Sequence, residues 1–354
     1  MMKTLRTLLL LLFVAGIAAA FGKAFLWGES VTKYGAYVPW GLWIGIYITL
    51  VGAAAGCVVW GVWLSPQNIE GKGSGTAVAL LSSALCLAFG LAFVGIDLGK
   101  PLQGFRIFLH PAFASPLAWA SWLYGLFFVC VAGYFLTAMK RPLLLLAAVV
   151  AIGFTVAEAL FFGQMVSRPL WNSWLTTLLF LTAAASAGAA LLLLVWQGTG
   201  LAVDSTAVAK LRKALAASLV AYALVEGIDV AMALSGSPEK VLAVKRMIAS
   251  YGFWLLYGVI GTLIPLFLLL RTERTLLAAG LSLVGAAGSK YAFVRYGFVP
   301  EPMPGLAQSF HDAALQTRYF PSTVEWVVAV GLLAGLVWVI LWAVEKILMP
   351  KAAQ

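Results

Sequence analysis

The chain has 354 residues, of which 63% are hydrophobic and only 10% are charged. So few polar residues cannot cover the surface of a water-soluble protein of this length, and the composition excludes a soluble globular chain. A membrane-spanning helix needs about 20 apolar residues, and nearly the whole chain divides into such runs. The runs are continuous rather than alternating, which predicts an all-α polytopic membrane protein instead of a barrel.

Charge and metal-ligating residues narrow the function further. The net charge is +10, but Lys and Arg are scattered through short loops, which indicates membrane anchoring rather than nucleic-acid binding. Cys57, Cys86 and Cys130 lie inside apolar runs and form no CxxC pair, so they offer no iron–sulfur or zinc ligand set. His110 and His311 lie in loops, whereas a haem held between helices needs histidines within the spans. We therefore expect no haem, iron–sulfur or metal ligands in this chain.

The apolar runs predict ten spans. Lys3, Arg6 and the three alanines at 18–20 also make the first run similar to a signal peptide, but its length favours a retained helix. The spans are predicted at 5–27, 38–64, 76–96, 115–138, 142–161, 171–197, 208–235, 248–271, 273–293 and 322–346.

Ten spans place both termini on the same side of the membrane. Lys and Arg are nearly equal in number on the two sides, so the tight loops decide the orientation. The basic residues at 140–141, 210–213 and 271–274 abut span ends on the side of the termini. The positive-inside rule therefore predicts both termini in the cytoplasm and the chain in the inner membrane, with the loop after the third span facing outward.

The stretch 96–122, between the third and fourth spans, is unusually charged. It places Asp97, Lys100, Arg106 and His110 within fourteen residues of a chain that is only 10% charged. Pro101 ends the preceding helix. The segment that follows is predicted to be a short amphipathic helix at the membrane surface. The apolar side chains expected to face in are Leu102, Phe105, Phe108 and Leu109.

The second half of this stretch is predicted to begin the next span. Ser115 and Pro116 stand in the order expected for a helix cap and first turn. Trp119 and Trp122 lie three residues apart on one face, which is typical of an interfacial aromatic belt. Two interpretations stay open: a capped turn in which Asp97 caps a helix or pairs with a nearby cation, or a functional site that Asp97 lines.

Few charged residues are predicted inside the bilayer, where each costs about 2.5–3.5 kcal/mol on insertion scales. They are Asp97, Glu158, Glu226, Asp229 and Lys290. All five fall in the half of the membrane predicted to face outward. Glu226 and Asp229 lie three residues apart on one helix face, so an interhelical lock with Lys290 is one interpretation. A site that exchanges protons is the other, because burial moves carboxyl pKa values towards neutrality.

Three motifs, in order along the chain, resemble those of a known family. The first is Pro39-Trp40-Gly41-Leu42-Trp43, which opens a Gly-rich span. The second is DLGKP at 97–101, followed by a His-Pro-x-x-x-Ser-Pro-x-x-Trp-x-x-Trp run at 110–122. The third is Arg-Pro-Leu-Trp-Asn-Ser at 168–173. Together they resemble the NrfD/PsrC family, the membrane-embedded quinone-reacting subunits of respiratory oxidoreductases.

The resemblance implies a fold and a role for the chain. It implies a first four-helix bundle at 38–161 that holds the quinone site and a second bundle at 171–293. The helices at 5–27 and 322–346 flank these bundles. It also implies that menaquinone or another quinone is oxidised or reduced near the outer face. Electrons then pass to or from a docked ferredoxin-like iron–sulfur subunit, which serves a catalytic subunit of the molybdopterin type.

Residues matching the family motifs become the candidate site. The resemblance points to a quinone site at Trp43, Asp97, His110, Ser115 and Asn172. Aromatic rings that could wall the pocket add Tyr47, Trp119 and Trp122. We expect Asp97 and Glu158 to act in proton exchange with the ring, and we expect a proton path through Glu158, Glu226 and Asp229.

One position departs from the family pattern. A Tyr-x-Gly sequence is common just before the Arg-Pro motif, whereas this chain has Thr155-Val156-Ala157-Glu158. We therefore predict that Glu158 takes the place of the tyrosine beside the quinone carbonyl.

Two other functions compete with this interpretation. A secondary transporter could use Glu226, Asp229 and Lys290 as a coupling triad, but the broken helices and internal repeat typical of transporters are not evident. An inert membrane anchor would leave the buried carboxylates unexplained. The sequence therefore favours a quinone-reacting subunit, with a transporter as the alternative.

Overall fold

A computed structural model describes residues 2–64, 74–110, 112–137, 140–201, 203–303, 305–310 and 312–348. These residues form ten helices long and apolar enough to cross a membrane, which confirms the predicted number of spans. In chain order, α1 to α10 are Lys3–Val31, Leu42–Leu64, Gly75–Asp97, Pro116–Leu136, Arg141–Gly163, Thr176–Gly198, Ser205–Ala233, Tyr251–Arg271, Thr275–Gly297 and Thr323–Lys346. The predicted all-α polytopic fold is therefore confirmed.

Serine and proline residues begin several of these helices. The side chain of Ser74 accepts a hydrogen bond from the backbone N–H of Ala77 at the start of α3. Ser322 does the same for Glu325 at the start of α10. Pro116 occupies the first turn of α4, directly after Ser115, as the sequence predicts.

Helix α2 lies at the centre of the bundle. It is buried along almost its whole length and packs against α3, α5, α6 and α9. Its contact with α6 is close because glycines meet there: a Cβ atom on Gly188 would overlap the backbone of Gly56. Small residues at helix contacts are the usual means of close packing in membranes. The division of the spans into two four-helix bundles stays a prediction.

The first and last helices form a pair at the edge of the molecule. Helix α1 packs on α10, which in turn contacts α3. Gly16 and Gly331 make this approach possible, since a Cβ on either would overlap the other's backbone. The pairing brings the two ends of the chain together and places residues far apart in sequence side by side.

Because the helices alternate in direction, the longer connections share one face, which we call the long-loop face. Among the described residues, it carries the segments 32–41, 98–110, 112–115, 164–175, 234–250, 298–303, 305–310 and 312–322. The segment 234–250 includes a surface helix, Pro238–Ile248, which packs against α7 and α9. This face is therefore built from much more chain than the opposite one.

The charged stretch after α3 turns on this face, as expected. A 3-10 turn, Pro101–Gln103, precedes a single helical turn, Arg106–Leu109. Leu102, Phe105 and Leu109 are each more than half exposed and do not pack into the bundle, so their predicted orientation into the membrane stays a prediction. Lipid tails solvate apolar side chains as well as a protein interior does, so burial against the bundle is not required.

The glycine contact between α2 and α6 predicts a stability effect. Gly188→Ala should lower the free energy of unfolding by about 1–3 kcal/mol, because the added methyl group overlaps the backbone of α2. The matched control is Gly125→Ala in α4, where a Cβ would meet nothing within 4 Å. Thermal unfolding in mild detergent measures both variants. Equal melting temperatures for the two variants would contradict the close contact.

Candidate functional site

The buried ionisable residues collect near one end of the bundle. Asp97 ends α3 and Glu325 lies in the first turn of α10. At a rise of about 1.5 Å per residue, the others lie within roughly 12 Å of the long-loop ends of their helices. The set consists of the buried Lys23, Glu158, Lys290 and Glu325 and the half-buried Asp97, Glu226 and Asp229. The half of the bundle nearest the long-loop face is thus the polar half.

Lys23 anchors one group of these residues, which we call the Asp97 cluster: Lys23, Tyr34, Trp43, Asp97 and Glu325. The Lys23 side chain is only 2% exposed. Its Nζ donates to the backbone oxygen of Ile96 at 2.6 Å and to Glu29 Oε1 at 2.7 Å. It lies in a π-helical turn, Gly22–Trp27, a conformation that is frequent at functional sites. A positive charge is therefore fixed beside the end of α3.

Asp97 and Tyr34 face each other in this cluster. Asp97 Oδ1 and Tyr34 Oη are both buried and interact with each other, but within the described part of the chain neither makes a hydrogen bond of normal geometry. Burial raises the pKa of the Tyr34 phenol well above its ordinary value, and the negative charge of Asp97 is the second largest cause. Tyr34 therefore stays protonated and can donate a hydrogen bond. Two unsatisfied buried polar atoms of this kind mark a place where a polar ligand would bind favourably.

Trp43 and Glu325 close the cluster from the side of α2 and α10. The Trp43 indole is fully buried, and its Nε1 donates to the backbone oxygen of Glu325 at 3.0 Å. Its ring meets the Tyr34 ring edge-on, with 5.9 Å between centroids. The Glu325 side chain accepts from the backbone N–H of Lys33 at 2.7 Å and from the hydroxyl of Tyr319. The cluster thus combines an aromatic wall with one cation and two carboxyl groups.

A second group, the Glu158 cluster, lies deeper and consists of Tyr47, Tyr124, Glu158 and Lys290. Glu158 is 1% exposed, and its Oε1 has no hydrogen-bond partner among the described residues. The Tyr47 hydroxyl, which is hydrogen-bonded to that of Tyr124 at 2.8 Å, interacts with the Glu158 carboxyl group. A cavity of about 10 Å³ between Glu158 and Lys290 has room for roughly one water molecule.

Lys290 occupies an aromatic cage rather than an ion pair. Its Nζ lies 4.4 Å from the ring centroid of Phe180, 5.2 Å from that of Tyr222 and 5.6 Å from that of Phe293. Cation–π attraction of this kind is strongest in desolvated surroundings. The ion pairs found within the described ranges are Arg6–Glu345, Lys23–Glu29 and Arg212–Glu273. Lys290 is therefore held by rings and by the field of nearby carboxylates.

Polar groups continue from Lys290 towards the long-loop face. Glu226 and Asp229 on α7 both interact electrostatically with Lys290. Asp229 Oδ1 accepts from the hydroxyl of Ser173 at 2.5 Å, and Lys240 of the surface helix also acts on it. A row of ionisable groups thus runs from the bundle interior to the loops between α5 and α6.

Four of the eleven predicted site residues fall in these two clusters, and Glu226 and Asp229 interact with Lys290 beside them. Trp43 and Asp97 belong to the Asp97 cluster, whereas Tyr47 and Glu158 belong to the Glu158 cluster. Trp43 and Tyr47 are four residues apart on α2, so this helix joins the two clusters on one face.

The structure places the remaining predicted residues elsewhere. His110 is exposed, and Trp119 and Trp122 are about half exposed on the corner after α3. Ser115 begins α4. Asn172 is exposed and binds the end of α5: its Nδ2 donates to the oxygen of Gly163, while its own backbone oxygen accepts from Lys240. Within the described residues, none of these five side chains hydrogen-bonds to a buried carboxyl group, although Asn172 adjoins Ser173, which bonds to Asp229.

The sequence patterns described above do not point to Lys23, Tyr34, Tyr319 or Glu325. Lys23 and Glu325 are charged residues inside predicted spans, so the cost of burying a charge in a membrane would have singled them out. Tyr34 and Tyr319 lie in loops and carry no such signal. Their role depends on the pairing of α1 with α10, which no local pattern reveals.

Comparison with known proteins identifies the family. Residues 30–299 match the family described as polysulphide reductase, NrfD. The chain belongs to the NrfD family. The match covers Asp97, Tyr34 and the Glu158 cluster, while Lys23 and Glu325 lie outside it. The chain is therefore a multi-pass membrane subunit of the kind found in oxidoreductase complexes.

Two relatives and one solved structure extend the comparison. A selenate reductase subunit of Mesobacillus selenatarsenatis is 25% identical over 91% of this NrfD protein and 88% of its own length. A polysulfide reductase subunit of Wolinella succinogenes is 25% identical over 46% of this protein and 59% of its own length. The bd oxidase of Geobacillus thermodenitrificans superposes with a TM-score of 0.52 at 15% identity, over 86% and 93% of the two chains. The last likeness concerns the fold alone.

The buried cation predicts a stability effect. Lys23→Met should lower the free energy of unfolding by about 1.5–3 kcal/mol, because a hydrogen bond from a charged group to the Ile96 carbonyl is lost. Lys33→Met is the matched control, since the Lys33 side chain is exposed and only its backbone contacts Glu325. Thermal unfolding in detergent compares the two. A Lys23→Met variant as stable as the control would contradict an anchoring role.

Proposed function

We propose that this protein is the quinone-reacting membrane subunit of a respiratory oxidoreductase complex. It binds a quinone at the Asp97 cluster and exchanges protons with the ring. Electrons pass between the ring and a ferredoxin-like iron–sulfur subunit docked on the long-loop face, which serves a catalytic subunit of the molybdopterin type. Family membership and two relatives named as parts of reductases support this role.

The observation that carries the proposal is the pair of buried atoms, Asp97 Oδ1 and Tyr34 Oη. An unsatisfied buried polar group costs about 1–3 kcal/mol. These two atoms interact with each other but make no hydrogen bond of normal geometry among the described residues, an arrangement that suits the oxygen of a quinone or quinol. The fully buried ring of Trp43 supplies a flat apolar wall beside them. The residues present therefore fit the group that the family implies.

Each member of the cluster has a chemical task. When bound, the quinone supplies the two-electron chemistry. The Asp97 carboxylate takes the proton of a quinol hydroxyl, or returns one in the reverse direction. The Tyr34 phenol, which stays protonated, donates a hydrogen bond that orients the ring oxygen. The Lys23 ammonium lies near enough to Asp97 to stabilise negative charge that develops at the site.

Glu158 suits proton transfer better than direct contact with the ring. The cavity beside it measures about 10 Å³, whereas small-molecule pockets typically measure about 300–1,000 Å³. Tyr47 links Glu158 to the α2 face that also carries Trp43. We therefore place Glu158 on a proton path with Glu226 and Asp229. The alternative, that Glu158 contacts the quinone carbonyl, is tested by the Glu158→Gln variant in the titration below.

The long-loop face suits a docked partner. The segment 298–322 and the surface helix Pro238–Ile248 both lie there, above the buried carboxylates. A short distance between the quinone and the partner's first iron–sulfur centre would follow from this arrangement. In our proposal this face points out of the cytoplasm, the chain lies in the inner membrane and both termini are cytoplasmic.

The row of charges around Lys290 supports one alternative, a secondary transporter. Glu226, Asp229 and Lys290 interact with one another and lie on a route to the surface. A coupling triad would look similar. The transporter would have no use for the pair Asp97 and Tyr34, so quinone chemistry accounts for more of the polar half.

A binding titration tests the proposal. The purified protein in mild detergent should quench a fluorescent quinol-site inhibitor saturably, at one site. Asp97→Asn should weaken binding by about tenfold or more, which is about 1.4 kcal/mol. Glu158→Gln should leave the affinity nearly unchanged, because the ring does not touch it. His110→Gln serves as an exposed control that should bind as the wild type does.

The outcomes of this titration separate the alternatives. Binding weakened by Glu158→Gln but not by Asp97→Asn would move the ring to the Glu158 cluster. A folded protein that shows no saturable quenching, even with its partner subunits attached, would contradict quinone binding. Ion-dependent stabilisation in that case would support the transporter.

A further inference from the structure

The Asp97 cluster contains a second buried carboxyl group, that of Glu325. It is fully buried in the first turn of α10, next to the pair Asp97 and Tyr34. Its carboxyl group interacts electrostatically with Asp97, Tyr34 and Tyr291, and accepts a hydrogen bond from Tyr319. Burying an ionisable carboxyl group costs more free energy than burying a neutral hydrogen-bond acceptor. A role as a structural acceptor alone would therefore not require a glutamate here.

Two tyrosines connect these carboxyl groups. The rings of Tyr34 and Tyr319 lie 5.8 Å apart, and each hydroxyl faces one of the acids: Tyr34 faces Asp97 and Tyr319 bonds to Glu325. Burial raises the pKa of the Tyr319 phenol above its ordinary value, and the negative charge of Glu325 is the second largest cause. Both phenols therefore stay protonated, and a hydroxyl can accept one proton while it donates another.

Beyond Glu325 lies an opening to the long-loop face. A cavity of about 910 Å³ is lined by Tyr319 and by residues of the surface helix, the end of α9 and the segment 299–320. Arg295, which interacts with the hydroxyl of Tyr291, also lines it. Tyr319 therefore separates the buried Glu325 from a cavity wide enough to hold water.

We propose that Glu325, acting with Tyr319, carries protons between the Asp97 site and the cavity on the long-loop face. The proposal rests on quinone chemistry at Asp97. Oxidation of one quinol releases two protons and two electrons, and the electrons leave to the iron–sulfur partner. Asp97 takes one proton and passes it by way of the Tyr34 hydroxyl to Glu325, which interacts with both side chains. Glu325 passes it through the Tyr319 hydroxyl to water in the cavity, so that Asp97 is free for the second proton.

A relay differs from a merely structural acceptor in its effect on rate. Glu325→Gln keeps one oxygen that can accept from the backbone N–H of Lys33, and its amide nitrogen can donate to the Tyr319 hydroxyl, so the fold should hold. The amide cannot carry a proton. The affinity for a quinol-site inhibitor should therefore stay nearly constant while the proton-coupled rate falls.

The experiment uses the whole complex, purified through a tag on this protein. A short-chain naphthoquinol is mixed with the oxidised complex, and bleaching of the iron–sulfur clusters is followed together with proton release to a pH dye. Glu325→Gln should slow both signals by about tenfold or more, and Glu325→Asp should restore part of the rate. Asp312→Asn, an exposed carboxyl on the same face, should match the wild type.

Each outcome decides the proposal. A Glu325→Gln rate within about twofold of the wild type, with normal inhibitor affinity, would overturn it. If that variant does not fold, Tyr319→Phe decides instead: a slowed rate supports the relay and an unchanged rate overturns it. A wild-type complex that neither binds the inhibitor nor bleaches with the quinol would instead refute quinone chemistry itself.

Discussion

The cost of placing charged side chains inside a membrane governs this structure. Each costs several kcal/mol unless it is paired, hydrated or used. The protein meets this constraint by confining its buried charges to the half of the bundle beneath the long-loop face. Lys23 shows how tightly such a residue is held: it is bound at once by the end of α3 and by Glu29. The arrangement of helices around α2 follows from the need to bring these groups together.

The two clusters stabilise their charged side chains in different ways, and we infer different functions for them. Lys23 is bonded to Glu29 and acts electrostatically on Asp97, whereas Asp97 Oδ1 and Tyr34 Oη, which interact with each other, make no hydrogen bond of normal geometry in the described structure. Lys290 balances Glu158 and Glu226 from within an aromatic cage, beside a cavity that holds about one water molecule. In our proposals, the first cluster binds the ring and passes its protons to Glu325, and the second cluster forms a separate proton path.

Much of this could be predicted from sequence because the relevant signals are local. Apolar runs gave ten spans, and charged residues within them pointed to Asp97 and Glu158. Other features depend on contacts between distant segments. Tyr34 matters only because α1 and the loop after it pack against α3 and α10, and Glu325 meets Lys33 across 292 residues. His110 was expected at the site from its motif, but the corner that carries it turns outward.

The central claim is that the quinone ring lies between Tyr34 and Asp97. The most direct measurement is photoaffinity labelling of the purified complex with an azidoquinone, followed by mass spectrometric mapping of the labelled peptides. The account predicts labelling of the segment after α1 and of the end of α3, and an excess of unlabelled quinone should suppress it. Competed labelling confined to the helices around Glu158 and Lys290, with none near Tyr34 or Asp97, would contradict it.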